Sequence, residues 1–225
     1  MANYEIDPAT LRKYVPCHTE LDDYAGKTFV SLVGFLFKNT RVLGLKLPFH
    51  HSFEEVNLRF YVRYKEGNNW KRGVVFMKEI VPRHMVTFIA NSLYGENYST
   101  HRMRHSWTQT ETRLNVAYEW AVKGEWNFLT ASTEIMPSFI AEGSEEEFIT
   151  EHYWGYTLVS DRCTGVYEVA HPKWRVHKVV DYDVHCNTRL LYGAEFEEAL
   201  GQSPSSVFLA EGSAIEVRSG SKLFK

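Results

Sequence analysis

The sequence lacks the short motifs that identify common enzyme classes. It has no Gly-x-Gly-x-x-Gly dinucleotide fingerprint, no phosphate-binding loop and no Gly-x-Ser-x-Gly nucleophile elbow. The pattern His-Glu-x-x-His is also absent, and the ten histidines show no spacing that would bring metal ligands together. We therefore expect no metal site and no cofactor.

Cysteine, charge of one sign and long apolar runs are also scarce. The cysteines Cys17, Cys163 and Cys186 form no Cys-x-x-Cys pair, which is typical of free thiols in a reducing cytosol. The formal net charge is −3 with interspersed signs, so no basic face is available for nucleic acid. No apolar run approaches the ~20 residues that cross a bilayer, and the first residues do not resemble a signal peptide. The sequence predicts a cytoplasmic protein that binds neither nucleic acid nor membranes.

Aromatic and β-branched residues, in contrast, are abundant. The 225 residues include 13 Tyr, 14 Phe and 6 Trp, a composition typical of β-rich proteins. About ten strands alternate with short turns, which favours a barrel or sandwich. Residues 1–25 show little periodicity and are predicted to be irregular, and residues 39–51 are predicted to form a loop. Because no repeat or linker divides the chain, we predict one domain over residues 1–225.

Three segments carry helix signals. Pro82 precedes apolar residues at helical spacing, and Gly95 follows them. The tetrapeptide Ser144-Glu145-Glu146-Glu147 matches a capping box. Residues 194–200 predict a third, short helix that ends at Gly201.

The clearest strand lies between residues 54 and 64, and the turn residues Gly67-Asn68-Asn69 predict that it forms a hairpin with residues 73–81. Its side chains alternate between an apolar side and a polar side. The polar side carries Glu55, Asn57, Arg59, Tyr61 and Arg63. Such a side is typical of a solvated surface, or of a cavity wall that binds an anion through guanidinium groups. Periodicity alone favours the solvated surface.

A second polar group follows the helix that begins near Pro82. There, Tyr98, His101 and Arg102 bring hydroxyl, imidazole and guanidinium groups into a loop after a rigid element, where sites are common. Histidine can transfer protons near neutral pH. The alternative is a solvated turn between helix and strand.

The central strand and its neighbours resemble the YqjF-like family of uncharacterised bacterial proteins. Residues 53–63, followed by Gly73-Val74-Val75-Phe76, are similar to the family pattern E-[VL]-N-[VL]-R-x-Y-V and the next strand G-V-x-F. Residues 148–153 and 171–174 resemble the family segments F-L-T-E-R-Y and H-x-P-W. The similarity extends over residues 20–185 and keeps the order of these segments.

The resemblance implies the fold of acetoacetate decarboxylase: a closed antiparallel β-barrel with an internal cavity and two or three peripheral helices. Decarboxylases of that fold use a lysine Schiff base from a G-Y-P-K-K segment after the central helix. The matching residues 94–102 contain no lysine, so we do not expect acetoacetate decarboxylase activity. Lys78, the nearest substitute, is predicted to be a surface lysine.

The resemblance also favours an inward-facing polar side of the central strand, because its polar residues form the family motif. We predict that the cavity binds a small, keto-acid-like organic anion. The predicted ligand-binding residues are Arg59, Arg63, Asn57, Tyr61, Tyr98 and Arg102. His101 and Glu55 are the predicted catalytic residues if the ligand is turned over.

Two alternatives stay open at this point. The protein is a lyase-, hydratase- or aldolase-type enzyme acting on a keto acid, or it is a structural or partner-binding barrel without a ligand. The sequence also leaves open whether the chain forms a homo-oligomer.

Overall fold

The structure is a computed structural model, and it describes residues 1–38, 52–94, 97–218 and 220–225. The loop predicted for residues 39–51 lies outside these residues. The described part is mainly β. Its strands are β1 (Ala2–Glu5), β2 (Thr19–Leu21), β3 (Phe29–Phe37), β4 (Phe53–Glu66), β5 (Asn69–Val81), β6 (Tyr98–Thr100), β7 (Met103–Gln109), β8 (Arg113–Val122), β9 (Glu125–Glu134), β10 (Ser138–Phe139), β11 (Trp154–Ser160), β12 (Cys163–Ala170), β13 (Arg175–His185), β14 (Ser206–Ala210), β15 (Glu216–Val217) and β16 (Ser221–Phe224).

These strands belong to one sheet, whose main path has the order β15-β12-β11-β5-β4-β3-β1-β14-β13-β9-β8-β7. The prediction of a closed barrel is wrong, because the sheet is open between β15 and β7. Closure needs a backbone ladder between the end strands, and β15 is only two residues long and pairs with β12. Near the other end, β7 meets β4 through a side-chain contact, between His105 Nδ1 and Glu54 Oε1 at 2.7 Å.

The hairpin of β4 and β5 is the longest in the fold and confirms the turn prediction. Gly67 lies in the turn with φ +59°, a conformation that glycine adopts without a steric penalty. The register shifts in the middle of the hairpin: Leu58 lies opposite Lys78, and the next residue, Arg59, lies opposite Phe76. This β-bulge lies beside the polar residues of β4, a common position for bulges near functional side chains.

In the described part of the chain, five α-helices border the sheet: α1 (Pro8–Leu11), α2 (His84–Tyr94), α3 (Glu145–Thr150), α4 (Thr188–Leu191) and α5 (Glu197–Leu200). Two 3₁₀ turns, Arg12–Tyr14 and Ala194–Phe196, precede or follow them. All three predicted helix signals are confirmed. The Ser144 hydroxyl caps α3 by accepting a hydrogen bond from Glu147 N at 3.2 Å. None of the described helices is long and apolar enough to cross a membrane.

Two hydrophobic clusters enclose β4. The larger cluster contains Val56, Leu58, Phe60 and Val62, which are all fully buried. The smaller cluster contains Tyr61 from the opposite side of the strand, together with residues of α3. Because both sides of β4 are covered, its polar side chains have little access to bulk water.

Candidate functional site

The polar side of β4 is buried over most of its length. Glu55, Asn57 and Tyr61 are each about 1 % exposed, and Arg59 is half-buried. The solvated-surface interpretation is therefore wrong for these residues. It holds for Arg63, whose Nε donates to Glu20 Oε1 at 2.7 Å near the surface.

Glu55 is the centre of a hydrogen-bonded cluster on this side. Asn57 Nδ2 donates to its Oε1 at 3.0 Å, and the hydroxyl of Tyr98 donates to its Oε2 at 3.1 Å. The register explains the proximity, because β6 pairs with β5 so that Tyr98 lies beside Glu79, and Glu79 lies opposite Asn57. Burial, followed by the carboxylates of Glu55 and Glu79, raises the pKa of Tyr98 well above its usual value. The phenol therefore stays protonated and acts as a donor.

Two polar atoms beside this cluster are buried and unpaired within the described residues: Asn57 Oδ1 and Arg59 Nε. The rest of the Arg59 guanidinium is held in place, since Nη2 donates to Ile149 O at 3.2 Å and Cζ lies 5.7 Å from the centre of the Tyr61 ring. Burying a polar group without a partner costs ~1–3 kcal/mol, so such atoms need an explanation. The two residues that carry these atoms, Asn57 and Arg59, lie two positions apart on one side of β4. We call the set of Glu55, Asn57, Arg59 and Tyr98 the polar wall.

Tyr61 belongs to the packing of the fold more than to an open site. Its hydroxyl lies 2.6 Å from Ser31 Oγ, and Ser31 donates to Asn3 Oδ1 at 2.6 Å. Its ring packs against Phe148 at 5.2 Å and His152 at 4.7 Å between ring centres. These contacts occupy the groups through which Tyr61 was expected to bind a ligand.

A charged cluster next to Tyr61 was missed at the sequence level. Asp22, which is 3 % exposed, accepts from Arg72 Nε at 2.6 Å and lies 3.5 Å from His152 Nε2. Burial opposes the ionisation of Asp22, but His152 and Arg72 hold its pKa below its usual value. Burial, only partly offset by Asp22, lowers the pKa of His152 to about 4. No local signal marks this cluster, because Asp22 lies in the segment predicted to be irregular.

His101 and Arg102 lie apart from the polar wall, in a surface groove of about 540 Å³. His84, Arg104 and Trp126 also line this groove. His101 Nδ1 lies 2.9 Å from Ala121 O, so the imidazole contacts the backbone of β8. The structure thus divides the predicted site residues between two places. Whether either set binds a ligand stays a prediction.

Lys78 differs from the expected surface lysine. It is half-buried, and burial lowers its pKa. It lies opposite Leu58 in the hairpin register, whereas Tyr98 lies beside the neighbouring residue Glu79. Successive residues of a strand point to opposite sides of the sheet, so Lys78 lies on the other side from the polar wall.

Among the described residues, no group of three or more His, Cys, Asp or Glu side chains is placed to hold a metal ion.

Comparison with known proteins gives relatives in both sequence and fold. The chain is 27 % identical over 198 residues to the uncharacterized protein YqjF of Bacillus subtilis (strain 168), covering 87 % of this chain and 73 % of YqjF. The acetoacetate decarboxylase of Legionella pneumophila superposes with a TM-score of 0.57 at 13 % identity, over 86 % of this chain and 74 % of that one. The enduracididine biosynthesis enzyme MppR, in a complex with pyruvate, superposes with a TM-score of 0.59 at 14 % identity, over 99 % and 81 % of the two chains.

The structural similarities show that the chain shares the acetoacetate decarboxylase-like fold, and at these identities they show the fold alone. The family comparison is more specific, because a single family model matches residues 1–214. The chain therefore belongs to the DUF2071 family of uncharacterized conserved proteins.

Proposed function

We propose that this protein binds a small organic anion of the keto-acid type at the polar wall. The observation that carries the proposal is the pair of buried, unpaired atoms in the described residues, Arg59 Nε and Asn57 Oδ1. A carboxylate accepts a hydrogen bond from Arg59 Nε–H, and charge-assisted bonds of this kind are strong. Asn57 Oδ1 is an acceptor, because its amide nitrogen already donates to Glu55. It therefore suits a hydroxyl group, such as that of a keto acid in its enol or hydrated form.

The fold neighbours support the same ligand class. MppR, which superposes on 99 % of this chain, has been crystallised with pyruvate. The polar wall includes Tyr98 on β6, the strand that follows α2, and the family resemblance matches this segment to the lysine-bearing segment of the decarboxylases. Because a tyrosine stands here and the segment contains no lysine, the proposal includes no Schiff base at this position.

Calorimetric titration with pyruvate tests the proposal, with the uncharged amide pyruvamide as the comparison ligand. We expect Arg59→Met to weaken pyruvate binding at least tenfold and pyruvamide to bind at least tenfold more weakly than pyruvate. Arg63→Met is the matched control, because Arg63 lies on the same side of the same strand but pairs with Glu20. It should leave the dissociation constant within twofold.

Two results would contradict the proposal: equal affinity for pyruvate and pyruvamide, or unchanged pyruvate affinity in Arg59→Met. Since Arg59 also donates to Ile149 O, Arg59→Lys provides a second variant that keeps the charge and removes the Nε donor. A folded Arg59→Lys protein that binds pyruvate like the wild type would show that the Nε donor is not required for binding.

A second candidate function, enzymatic enolisation of a keto acid, is favoured by the Glu55–Tyr98 hydrogen bond. A carboxylate can take a proton from the carbon next to a ketone and leave an enolate, and the return of a deuteron from heavy water then labels that carbon. We expect the wild type to exchange the methyl protons of pyruvate in D₂O, measured by proton NMR, and Glu55→Gln to lose the exchange. Wild-type exchange at the rate of the buffer alone would exclude this candidate.

A further inference from the structure

The groove at residues 84 and 100–104 has a chemistry different from that of the polar wall. Its charged and polar lining consists of His84, Thr100, His101, Arg102 and Arg104, and none of its described lining residues is a carboxylate. Pro82, Met103 and Trp126 complete the lining with apolar surface. A volume of about 540 Å³ falls within the ~300–1,000 Å³ typical of small-molecule sites.

The two arginines of the groove are in different states. Arg104 Nη2 donates to Glu119 Oε2 at 2.5 Å, and its Cζ lies 4.3 Å from the Trp126 ring centre, so its charge is compensated. Arg102 lies 5.7 Å from the same ring centre and pairs with no carboxylate in the described part of the chain. A guanidinium over an indole ring is oriented by the ring and keeps its edge N–H groups for a bidentate anion. Relative to the described residues, Arg102 therefore supplies an uncompensated cation beside an apolar surface.

The hydrogen bond of His101 to the backbone limits the type of anion that fits the groove. Its Nδ1 must carry the proton, because the partner, Ala121 O at 2.9 Å, is a carbonyl and can only accept. In the neutral ring, Nε2 is then an acceptor. An anion that contacts Arg102 and the neutral ring of His101 must accept from the guanidinium and donate a hydrogen bond to Nε2. A carboxylate near neutral pH has no proton to share, whereas a phosphomonoester, with a second pKa near ~6, is present with and without its acidic proton.

We infer that this groove is a second binding site, for a small organic phosphate monoester, separate from the polar wall. The phosphate oxygens accept from the Arg102 guanidinium, and the P–OH group pairs with His101 Nε2. The organic part lies along Trp126 and Met103. The two sites share no lining residue, and the polar wall and the groove are therefore testable independently.

Titration with phenyl phosphate and phenyl sulfate tests the inference. The two probes have the same ring and a tetrahedral anionic group, but the sulfate has no acidic proton near neutral pH. We expect phenyl phosphate to bind at least tenfold more tightly than phenyl sulfate, and Arg102→Gln to weaken phenyl phosphate binding at least tenfold. The matched control is Arg113→Gln, because Arg113 is an exposed arginine outside the groove and its loss should change the affinity less than twofold.

Two further measurements test whether the groove and the polar wall bind their ligands independently. Arg59→Met should leave phenyl phosphate binding unchanged, and Arg102→Gln should leave pyruvate binding unchanged. Equal affinity for the two phenyl probes, equal losses in Arg102→Gln and Arg113→Gln, or no binding of phenyl phosphate at millimolar concentration would each overturn the inference. Arg102 is exposed, so the melting temperature of the unliganded variant provides the check on folding.

Discussion

One arginine of the polar wall and one arginine of the groove each lie over an aromatic ring, and the two pairs differ in burial. Arg59 Cζ lies 5.7 Å from the ring centre of Tyr61, and Arg102 Cζ lies 5.7 Å from the ring centre of Trp126. The first pair is the more buried, because Tyr61 is about 1 % exposed and Arg59 is half-buried, whereas Trp126 is half-buried and Arg102 is exposed to water. In the interior, polar groups interact strongly and are costly when unpaired. In water, the same pair contributes little to stability. Residues of the two regions should therefore differ in their effects on stability.

The largest expected difference comes from removing the two aromatic rings. Tyr61→Ala should lower the free energy of unfolding by ~3–5 kcal/mol, as for other large-to-small core substitutions. The ring packs against Phe148 and His152, and its hydroxyl contacts Ser31. Trp126→Ala should cost about half as much or less, because the indole is only half-buried and lost area sets the cost. Urea unfolding of both variants measures the difference in unfolding free energy. Equal losses of unfolding free energy would show that the two rings contribute equally to stability.

The next effect is a pH dependence that originates beside the polar wall. The pKa of His152 is about 4 in the folded protein and about 6.5 in an unfolded chain. As the pH falls, the unfolded chain therefore binds the proton first, and stability present above pH ~6.5 is lost between pH ~6.5 and ~4. The loss from this one group is ~3 kcal/mol at 1.36 kcal/mol per pKa unit.

The histidine can be separated from other titrating groups by substitution. His152→Gln should flatten the curve of unfolding free energy against pH between pH 6.5 and 4, measured by urea unfolding at several pH values. The exposed groove residue His84 provides the control, because His84→Gln should leave the curve unchanged. A curve in His152→Gln as steep as that of the wild type would show that His152 is not the group that titrates.

A smaller effect is expected from one hydroxyl of the polar wall. Tyr98→Phe removes the donor to Glu55 Oε2 and keeps the ring, and it should lower the free energy of unfolding by ~1.5–3 kcal/mol, the contribution of a hydrogen bond to a charged group. Thermal unfolding provides the measurement. Tyr182→Phe is the comparison, since Tyr182 is 40 % exposed and should change nothing measurable. A stabilised Tyr98→Phe protein would mean that the hydroxyl is strained at this position.

The smallest effect should come from the groove. Arg102→Gln should shift the melting temperature by less than ~2 °C, as expected for an exposed side chain that forms no ion pair with the described residues. Differential scanning calorimetry of the unliganded protein measures the shift. A shift of 5 °C or more would show that Arg102 stabilises the fold as much as a buried residue does.

Local features of the fold were predictable from the sequence. The alternation of residues 54–64, the turn at Gly67 and the capping box at Ser144 each depend on residues close together in the chain. Their physical signals are strand periodicity, the positive φ of glycine, and a hydroxyl three residues before an amide N–H. The family resemblance added the acetoacetate decarboxylase-like fold; the closed barrel that it implied is wrong, and the internal cavity stays a prediction.

Features that depend on distant residues were not predictable. Residues 1–25 were expected to be irregular, but β1 lies in the middle of the sheet between β3 and β14. The burial of the polar side of β4 depends on α3, which is about 90 residues away, as the contact from Arg59 to Ile149 O shows. Tyr98 and His101 are three residues apart and belong to different sites, because β6 ends between them. Periodicity describes which residues share a side and carries no information on what covers it.

The position of β1 has a consequence for the rate of folding. Its Asn3 donates from Nδ2 to Ser206 Oγ, 203 positions away along the chain, and the same strand pairs with β14 through Ala2 and Val207. Contacts of such long range require a large loop to close before they contribute any energy, so high contact order slows folding. Until β1 docks, the facing edges of β3 and β14 stay unpaired, and unpaired edges can pair with other chains. Refolding should therefore be slow, and its yield should fall as the protein concentration rises.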